Sequence, residues 1–141
     1  MVEIKELPID KIGDAYPVAR QLRTHLSLCE FVRIANEMSD SGYRAACLYE
    51  NGEIVSYVGY AERTNMYYGR HVWVYELVTD ETKRSRGYGR LLLDFVGKLA
   101  VKNSCSCVAL SSGLQRKDAH RFYEDAAGFK KISYIFKKDL N

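Results

Sequence analysis

Apolar residues in the first third of the chain predict a helix. After Ser27 they recur at helical spacing, at Leu28, Phe31, Val32, Ala35 and Met38. Ser27 and Glu30 have the spacing of a capping box, in which each side chain satisfies a backbone amide of the other, and Gly42 is placed to end the helix. An earlier helical stretch is predicted from Asp10 to about Leu26, and Pro17 confines its regular part largely to the residues that follow.

The middle of the chain changes to the apolar patterns of strands. Ala45–Glu50 and Glu53–Ala61 are joined by Asn51-Gly52, a dipeptide that favours a tight hairpin because both residues tolerate positive φ. Thr64–Arg70 is expected to be a polar and aromatic loop. His71–Thr79 is the best candidate for a buried strand.

The second half alternates between helices and strands. A helix is predicted over about Gly89–Lys102, a strand over Cys107–Ser111, a helix over Asp118–Ala127 and a last strand over Ile132–Lys137. The order is therefore two helices, a hairpin, a strand, and then helices and strands in turn. This order predicts an α/β fold with helices on a largely central sheet.

Composition indicates a single domain and argues against membrane-spanning, secreted and nucleic-acid-binding proteins. The chain has 141 residues, of which 47% are hydrophobic and 28% charged, so one domain over residues 1–141 with one sizeable core is expected. No apolar run reaches the roughly 18 residues that span a bilayer. The first ten residues are acidic and mixed, unlike a secretory signal. A sequence pI near 8.6 is too mild to indicate nucleic-acid binding, so neither nucleic acid nor membrane is expected as a partner.

The cysteines are the next candidates for chemistry. Cys29, Cys47, Cys105 and Cys107 form no CxxC pair, and with three histidines in the chain the sequence predicts no metal site of ordinary spacing. Free and mostly buried thiols in a reducing cytoplasm are the expectation.

Positive charge is concentrated after the strand His71–Thr79. Residues 1–50 carry six Lys and Arg against eight Asp and Glu, whereas residues 51–141 carry fifteen against ten. Residues 83–90, called the basic loop below, contain four of these cations and two glycines: Lys83, Arg84, Arg86, Arg90, Gly87 and Gly89. A strand, a basic loop and a helix start together form an anion site, because free amides and the positive end of the helix dipole face the ligand. The alternative is a solvated basic loop ahead of a core helix.

Two nucleotide-binding motifs do not fit the basic loop. Leu92 occupies the place of the third glycine of a dinucleotide fold, and no Gly-Lys-Ser/Thr sequence completes a P-loop. Arg84-x-x-Gly87-x-Gly89 instead resembles the acetyl-CoA-binding motif of the GNAT N-acetyltransferases. Ala119–Glu124 followed by Gly128-Phe129 resembles a second helix motif of the same superfamily, so residues 45–137 carry the resemblance. Gln115–Tyr123 is more weakly similar to aminoalkylphosphonate N-acetyltransferases.

The resemblance implies the GNAT acyl-CoA N-acyltransferase fold, a central and mostly antiparallel sheet flanked by helices, with acetyl-CoA as co-substrate. It places the cofactor on Leu77, Val78, Thr79, Arg84, Ser85, Arg86, Gly87, Tyr88, Gly89, Arg90, Arg116 and Phe122. In this family the strand that ends at Thr79 is splayed from the next one, so that the thioester reaches between them. The implied reaction is direct attack of a neutral amine in a ternary complex. It needs a donor for the oxyanion, an acid for the thiolate and a path for the amine proton.

The resemblance assigns the acid to Tyr123. A tyrosine suits this role because its ordinary pKa of roughly 10 keeps it protonated at neutral pH. The alternative is an aromatic packing residue. Many family members have an asparagine where this chain has Arg116, and we expect Arg116 to pair with a phosphate or an anionic group of the substrate.

Glu76 is the candidate base. A carboxylate inside the best strand is costly unless it is paired or functional. Strand alternation predicts that Glu76 and Val78 share one face, with Tyr75 and Leu77 on the other. The alternative is a salt bridge with a neighbouring Arg or Lys. Asp80 and Glu62 are the reserve candidates, whereas His71 and His120 are expected to be structural or exposed.

The expected activity is transfer of an acetyl group to a primary amine of a small molecule. Acetylation of a protein or peptide, and a non-catalytic acyl-CoA-binding module with the same fold, are the alternatives. The acceptor side would be formed by the N-terminal helices and residues 64–70, where the acidic first fifty residues would favour a cationic amine. The sequence leaves open the amine, a need for divalent metal and the oligomeric state, although homodimers are frequent in the family.

Overall fold

A computed structural model describes residues 1–140 of the chain. It contains two compact units, residues 1–110 and the residues from Ser111 onward, and each is described by itself. The first unit contains β1 (Val2–Leu7), α1 (Tyr16–Ala19), α2 (Leu28–Ser39), β2 (Arg44–Glu50), β3 (Glu53–Asn65), β4 (Gly69–Thr79), α3 (Tyr88–Lys102) and β5 (Cys107–Leu110). The second unit contains α4 (Lys117–Arg121) and a π-helical turn at Phe122–Ala126. The single domain over residues 1–141 stays a prediction.

The first unit is built on a five-stranded mixed sheet. Its strands lie in the order β1-β2-β3-β4-β5, antiparallel except for the parallel pair β4 and β5. One face packs on Ile12, Phe31 and Ala35 of the N-terminal region. On α3, Leu92 and Val96 are fully buried. The predicted mixed, mostly antiparallel sheet flanked by helices is confirmed.

Local signals in the sequence place α2 and the β2–β3 hairpin correctly. The Ser27 hydroxyl accepts a hydrogen bond from the Glu30 amide at 3.1 Å, and the Glu30 carboxylate accepts one from the Ser27 amide at 3.0 Å. In the hairpin turn, Asn51 and Gly52 have φ of 53° and 85°. Both features depend on residues close in sequence, which is why the pattern alone predicts them.

The segment before α2 is less helical than predicted. A 3-10 helix covers Ile9–Ala15, and α1 ends at Ala19 after a single turn. The predicted continuation to Leu26 is wrong, since turns follow α1 and the Tyr16 hydroxyl donates to the Leu26 carbonyl at 2.6 Å. This turn region positions Arg23, which matters for the site below.

Two stretches form strands that the pattern did not predict. Thr64–Arg70 was expected to be a loop, but β3 and β4 extend into it and leave a turn of only three residues between Asn65 and Gly69. The N-terminal β1 pairs along the edge of the sheet with β2. Its Val2 and Ile4 alternate with Glu3 and Lys5, so a short period-two signal was present.

The last predicted strand is wrong. Ile132–Lys137 has no regular secondary structure, and its apolar side chains are exposed, Phe136 most of all at 92%. A strand needs a neighbour for its backbone hydrogen bonds and a buried face for its alternating side chains. In residues 111–140 neither is provided, so the apolar alternation alone does not produce a strand.

Two further expectations concern thiols and membranes. All four cysteines are unpaired; Cys47 is buried and Cys105 and Cys107 are half-buried, but Cys29 is exposed, contrary to the expectation of burial. Within residues 1–140, no helix has the length and apolar character required to cross a membrane.

Candidate active site

The start of α3 presents unsatisfied backbone amides. Ser85 and Gly87 adopt positive φ, 67° and 80°, and turn the chain into the helix. Gly87 occupies the N-cap position and gives no side-chain cap, and the first intrahelical bond runs from the Leu91 amide to the Gly87 carbonyl at 3.1 Å. The amides of Tyr88 and Gly89 precede that bond and have no acceptor within the helix. With 15 residues behind it, this helix end attracts an anion.

The four cations of the basic loop differ in whether they pair with a carboxylate of the protein. Arg84 and Arg90 are exposed, and the Arg84 Nε donates to the Thr79 carbonyl at 3.3 Å. Lys83 and Arg86 instead pair with the carboxylate of Glu50 at the end of β2. Glu50, one of the eight acidic residues among the first fifty, therefore has ion-pair partners within the protein.

The carboxyl-terminal half of β4 has an open edge in the first unit. β5 pairs only with residues His71–Val74, whereas β4 continues to Thr79. Leu77, Val78 and Thr79, predicted to bind the cofactor, lie in this stretch and lead directly to the basic loop. Within the first unit no strand pairs with these residues on the β5 side, although the Thr79 carbonyl already accepts a hydrogen bond from Arg84.

A β-bulge shapes β4 next to this edge. Gly59 of β3 faces Glu76, and Tyr60 faces Val74, so Tyr75 is an extra residue in β4. Both Glu76 and Tyr75 contact Tyr43 as a result, through a hydrogen bond and an edge-to-face ring contact. The predicted separation of Tyr75 from Glu76 on opposite faces is therefore wrong, because the bulge interrupts the alternation.

Glu76 has partners for both carboxylate oxygens. Oε2 accepts from Arg23 Nε at 3.2 Å and from Arg23 Nη2 at 3.1 Å, and Arg23 also donates to the Tyr75 carbonyl at 2.7 Å. Oε1 accepts from the Tyr43 hydroxyl at 2.6 Å. The side chain of Glu76 is 12% exposed and that of Arg23 is 37% exposed. The salt bridge considered as the alternative to a base is thus present, with Arg23 as the partner.

A buried pair of tyrosines continues from Glu76 into the core. The hydroxyls of Tyr43 and Tyr57 lie 2.6 Å apart, and both residues are buried. Burial raises the pKa of Tyr43 and of Tyr57 well above the ordinary tyrosine value, and the negative charge of Glu76 adds to the rise. Tyr43 therefore stays a hydrogen-bond donor to Glu76 at neutral pH.

The second unit brings together three predicted residues. Tyr123 and Phe122 begin the π-helical turn, in which the Ala127 amide donates to the Phe122 carbonyl at 3.0 Å. The Tyr123 ring lies 5.4 Å from that of Phe122 and 5.7 Å from that of Phe129, between ring centroids. Burial raises the pKa of Tyr123, while the neighbouring Arg116 guanidinium acts in the opposite direction. Such turns within helices are frequent at functional sites.

Several residues of this site have no motif in the sequence. Arg23, Tyr43 and Glu50 reach their partners only through the fold. Gly59 is different, because an isolated glycine inside a strand pattern is a known sign of a bulge or of close approach. That signal could have predicted the contact beneath Glu76.

The family of the chain follows from its relatives. Residues 10–129 match the Acetyltransferase (GNAT) family. Over 142 aligned residues the chain is 40% identical to an uncharacterized N-acetyltransferase, YhdJ, of Bacillus subtilis (strain 168), with 99% of this chain and 100% of that protein covered. The chain belongs to the GNAT acetyltransferase family. It is an N-acetyltransferase that uses acetyl-CoA as co-substrate, as the two motifs predict.

Solved structures share the fold across low sequence identity. The aminoglycoside N-acetyltransferase AAC(6')-Iy in complex with CoA gives a TM-score of 0.88 at 12% identity, with 99% of this chain and 95% of that chain covered. A ribosomal-protein-alanine N-acetyltransferase from Brucella melitensis biovar Abortus 2308 gives 0.81 at 18% identity, with 99% and 100% covered. At these identities the likeness shows the GNAT fold alone.

The first unit fits acetyl-CoA on two structural features. The uncapped start of α3 would hold phosphates on its amides, together with Arg84 and Arg90. The open edge of β4 at Leu77–Thr79 would hold an extended amide-containing chain by backbone hydrogen bonds. An anion site and a strand edge adjacent to each other match a ligand that is anionic at one end and amide-rich along its length.

We predict that Gly59→Ala destabilises the protein and displaces Glu76. A Cβ at Gly59 would overlap the Tyr43 hydroxyl and the Glu76 carboxylate, and Tyr43 cannot withdraw because it is buried. The expected loss of unfolding free energy is about 1–3 kcal/mol, measured by urea denaturation.

Gly97→Ala is the matched control. Nothing lies within 4 Å of its added methyl group, and it sits inside α3, so stability should be kept or rise by about 0.5–1 kcal/mol. Equal stability of Gly59→Ala and the unaltered protein would contradict the packing assigned to Gly59.

Proposed function

We propose that the enzyme acetylates a primary amine of a small molecule. In this proposal the Glu76 carboxylate binds the amine and accepts its proton. The observation that carries this proposal is the largely buried carboxylate on β4, beside the strand edge that fits acetyl-CoA. A carboxylate attracts an ammonium group and can accept a proton from it, which leaves the neutral amine that attacks the thioester. The aminoglycoside N-acetyltransferases among the similar structures, one with a bisubstrate analogue of CoA and acetylneamine, support a small acceptor.

Two residues would move protons in this reaction. Acetyl-CoA supplies the thioester carbonyl that the amine attacks. Glu76 takes the amine proton, directly or through water, and the Tyr123 hydroxyl donates a proton at the leaving sulfur. The raised pKa of Tyr123 suits a general acid, because the hydroxyl keeps its proton through neutral pH.

Other predicted residues, apart from Arg86, would bind the cofactor. The amides of Tyr88 and Gly89 and the side chains of Arg84 and Arg90 would meet its phosphates. Arg116, which stands beside Tyr123, would pair with an anionic group of the cofactor or the substrate.

A thiol-release screen tests the activity. The purified protein is mixed with acetyl-CoA and with either small primary amines, including aminoglycosides, polyamines and aminophosphonates, or peptides with free N-termini, each with and without divalent metal. Release of CoA thiol with a small amine is expected. Release with peptides alone would favour protein acetylation, and binding of acetyl-CoA without release in any arm would favour a binding module.

Tyr123→Phe tests the general acid. We expect kcat to fall roughly ten- to a thousand-fold, with little change in acetyl-CoA affinity, because only the hydroxyl proton is lost. In the unaltered enzyme kcat should also decline at alkaline pH, above the ordinary tyrosine range, as the raised pKa of Tyr123 is passed and the acid loses its proton. Tyr134→Phe, at an exposed tyrosine, is the control. Equal turnover in the two variants would remove Tyr123 from this role.

A comparison of Glu76→Gln with Arg23→Gln tests whether Glu76 is a general base or only one partner of a structural ion pair. Both variants break the same salt bridge, but only the first removes the carboxylate. A catalytic Glu76 predicts a much larger loss of kcat for Glu76→Gln, with a flattened pH–rate profile. Similar losses of kcat and of stability in the two variants would show that the ion pair is purely structural.

A further inference from the structure

Glu50 forms a compact cluster with the basic loop. It is the last residue of β2, and its side chain is only 15% exposed. Oε1 accepts from the Tyr88 hydroxyl at 2.8 Å and from Arg86 Nη1 at 3.2 Å. Oε2 lies 3.1 Å from Lys83 Nζ, at ion-pair distance but without hydrogen-bond geometry. These three cluster partners lower the pKa of Glu50, so the carboxylate is ionised at neutral pH.

The cluster changes the charge that the basic loop offers to a ligand. A carboxylate held by an ammonium, a guanidinium and a phenol hydroxyl occupies the kind of site that a phosphate oxygen would otherwise take. Lys83 and Arg86 are thus already paired with a carboxylate, although the Arg86 side chain is itself 48% exposed, whereas within residues 1–140 neither Arg84 nor Arg90 forms an ion pair. Two of the four loop cations thus share one internal carboxylate, which cancels one unit of their combined positive charge.

We propose that Glu50 is an internal counter-ion that holds Lys83 and Arg86 away from the cofactor. The phosphates of acetyl-CoA then meet the amides at the start of α3 together with Arg84 and Arg90. Glu50 thereby limits the electrostatic attraction between the basic loop and acetyl-CoA, and so tunes how tightly the cofactor is held. This inference rests on the proposed role of the basic loop in cofactor binding.

The salt dependence of CoA binding distinguishes this role from a merely structural one. Removing the charge of Glu50 frees two cations next to a polyanionic ligand. Partly exposed ion pairs are individually weak and screened by salt. The gain in affinity should therefore be moderate at low salt and should fade as salt is added. Loss of a structural contact would weaken binding at every salt concentration.

The experiment measures the Kd of CoA by calorimetry for the unaltered protein and for Glu50→Gln, over about 50 to 200 mM NaCl. Glu50→Gln should bind CoA about three- to ten-fold more tightly at the lowest salt, and the difference should shrink at the highest. Glu53→Gln is the matched control: it makes the same charge change on the same hairpin, at an exposed side chain, and should bind as the unaltered protein does.

Arg86→Gln extends the test. It should change the Kd little when Glu50 is present, because the guanidinium is already paired, and should remove most of the gain in the Glu50→Gln background. If Glu50→Gln does not fold, the single variants Arg86→Gln and Lys83→Gln test the inference instead. A loss of CoA affinity of more than three-fold in either variant would overturn it. Equal or weaker binding by folded Glu50→Gln at low salt would also overturn it. Failure of the unaltered protein to bind CoA would instead contradict the cofactor site of the proposed function.

Discussion

The register between β3 and β4 is the constraint on which the site of the first unit depends. The two strands pair from Asn65 opposite Gly69 to Ser56 opposite Thr79, with a single irregularity at Gly59. A slip of one residue would send the side chains of β4 to the opposite face and remove Glu76 from Arg23 and Tyr43. The same register fixes where β4 ends, and therefore where the basic loop begins.

The β-bulge next to Glu76 allows this charged side chain to lie against the packed core of the first unit. A buried carboxylate that loses its partner costs roughly 3–5 kcal/mol, and less here because Arg23 is more than a third exposed. The Tyr43 hydroxyl supplies the remaining hydrogen bond, which its burial and its neighbour Tyr57 hold in place. Gly59 lets the side chains of Tyr43 and Glu76 approach, since a Cβ at this position would overlap both. Stability and the placement of the candidate base thus come from the same contacts.

How much of the fold and of the candidate site could be predicted depends on how far apart along the chain the interacting residues lie. The capping box of α2 and the Asn51-Gly52 turn involve neighbours in sequence, and both were placed correctly. The apolar alternation of Ile132–Lys137 predicted a strand wrongly, because a strand also needs a partner that no local pattern can supply. The opposite faces assigned to Tyr75 and Glu76 failed for a related reason: a bulge is a property of two paired strands.

The sequence by itself determined the family and the co-substrate, because two short motifs that resemble those of the family each consist of residues close together in the chain. The basic loop was also evident from the sequence, since its glycines and cations lie within eight residues. Only the tertiary structure decided how those charges are compensated. Glu50 reaches Lys83 and Arg86 from another strand, and Arg23 reaches Glu76 across 53 residues of sequence. Charge pairing acts through space, so a list of charged residues gives the net charge of a segment but not the charge that it presents to a ligand.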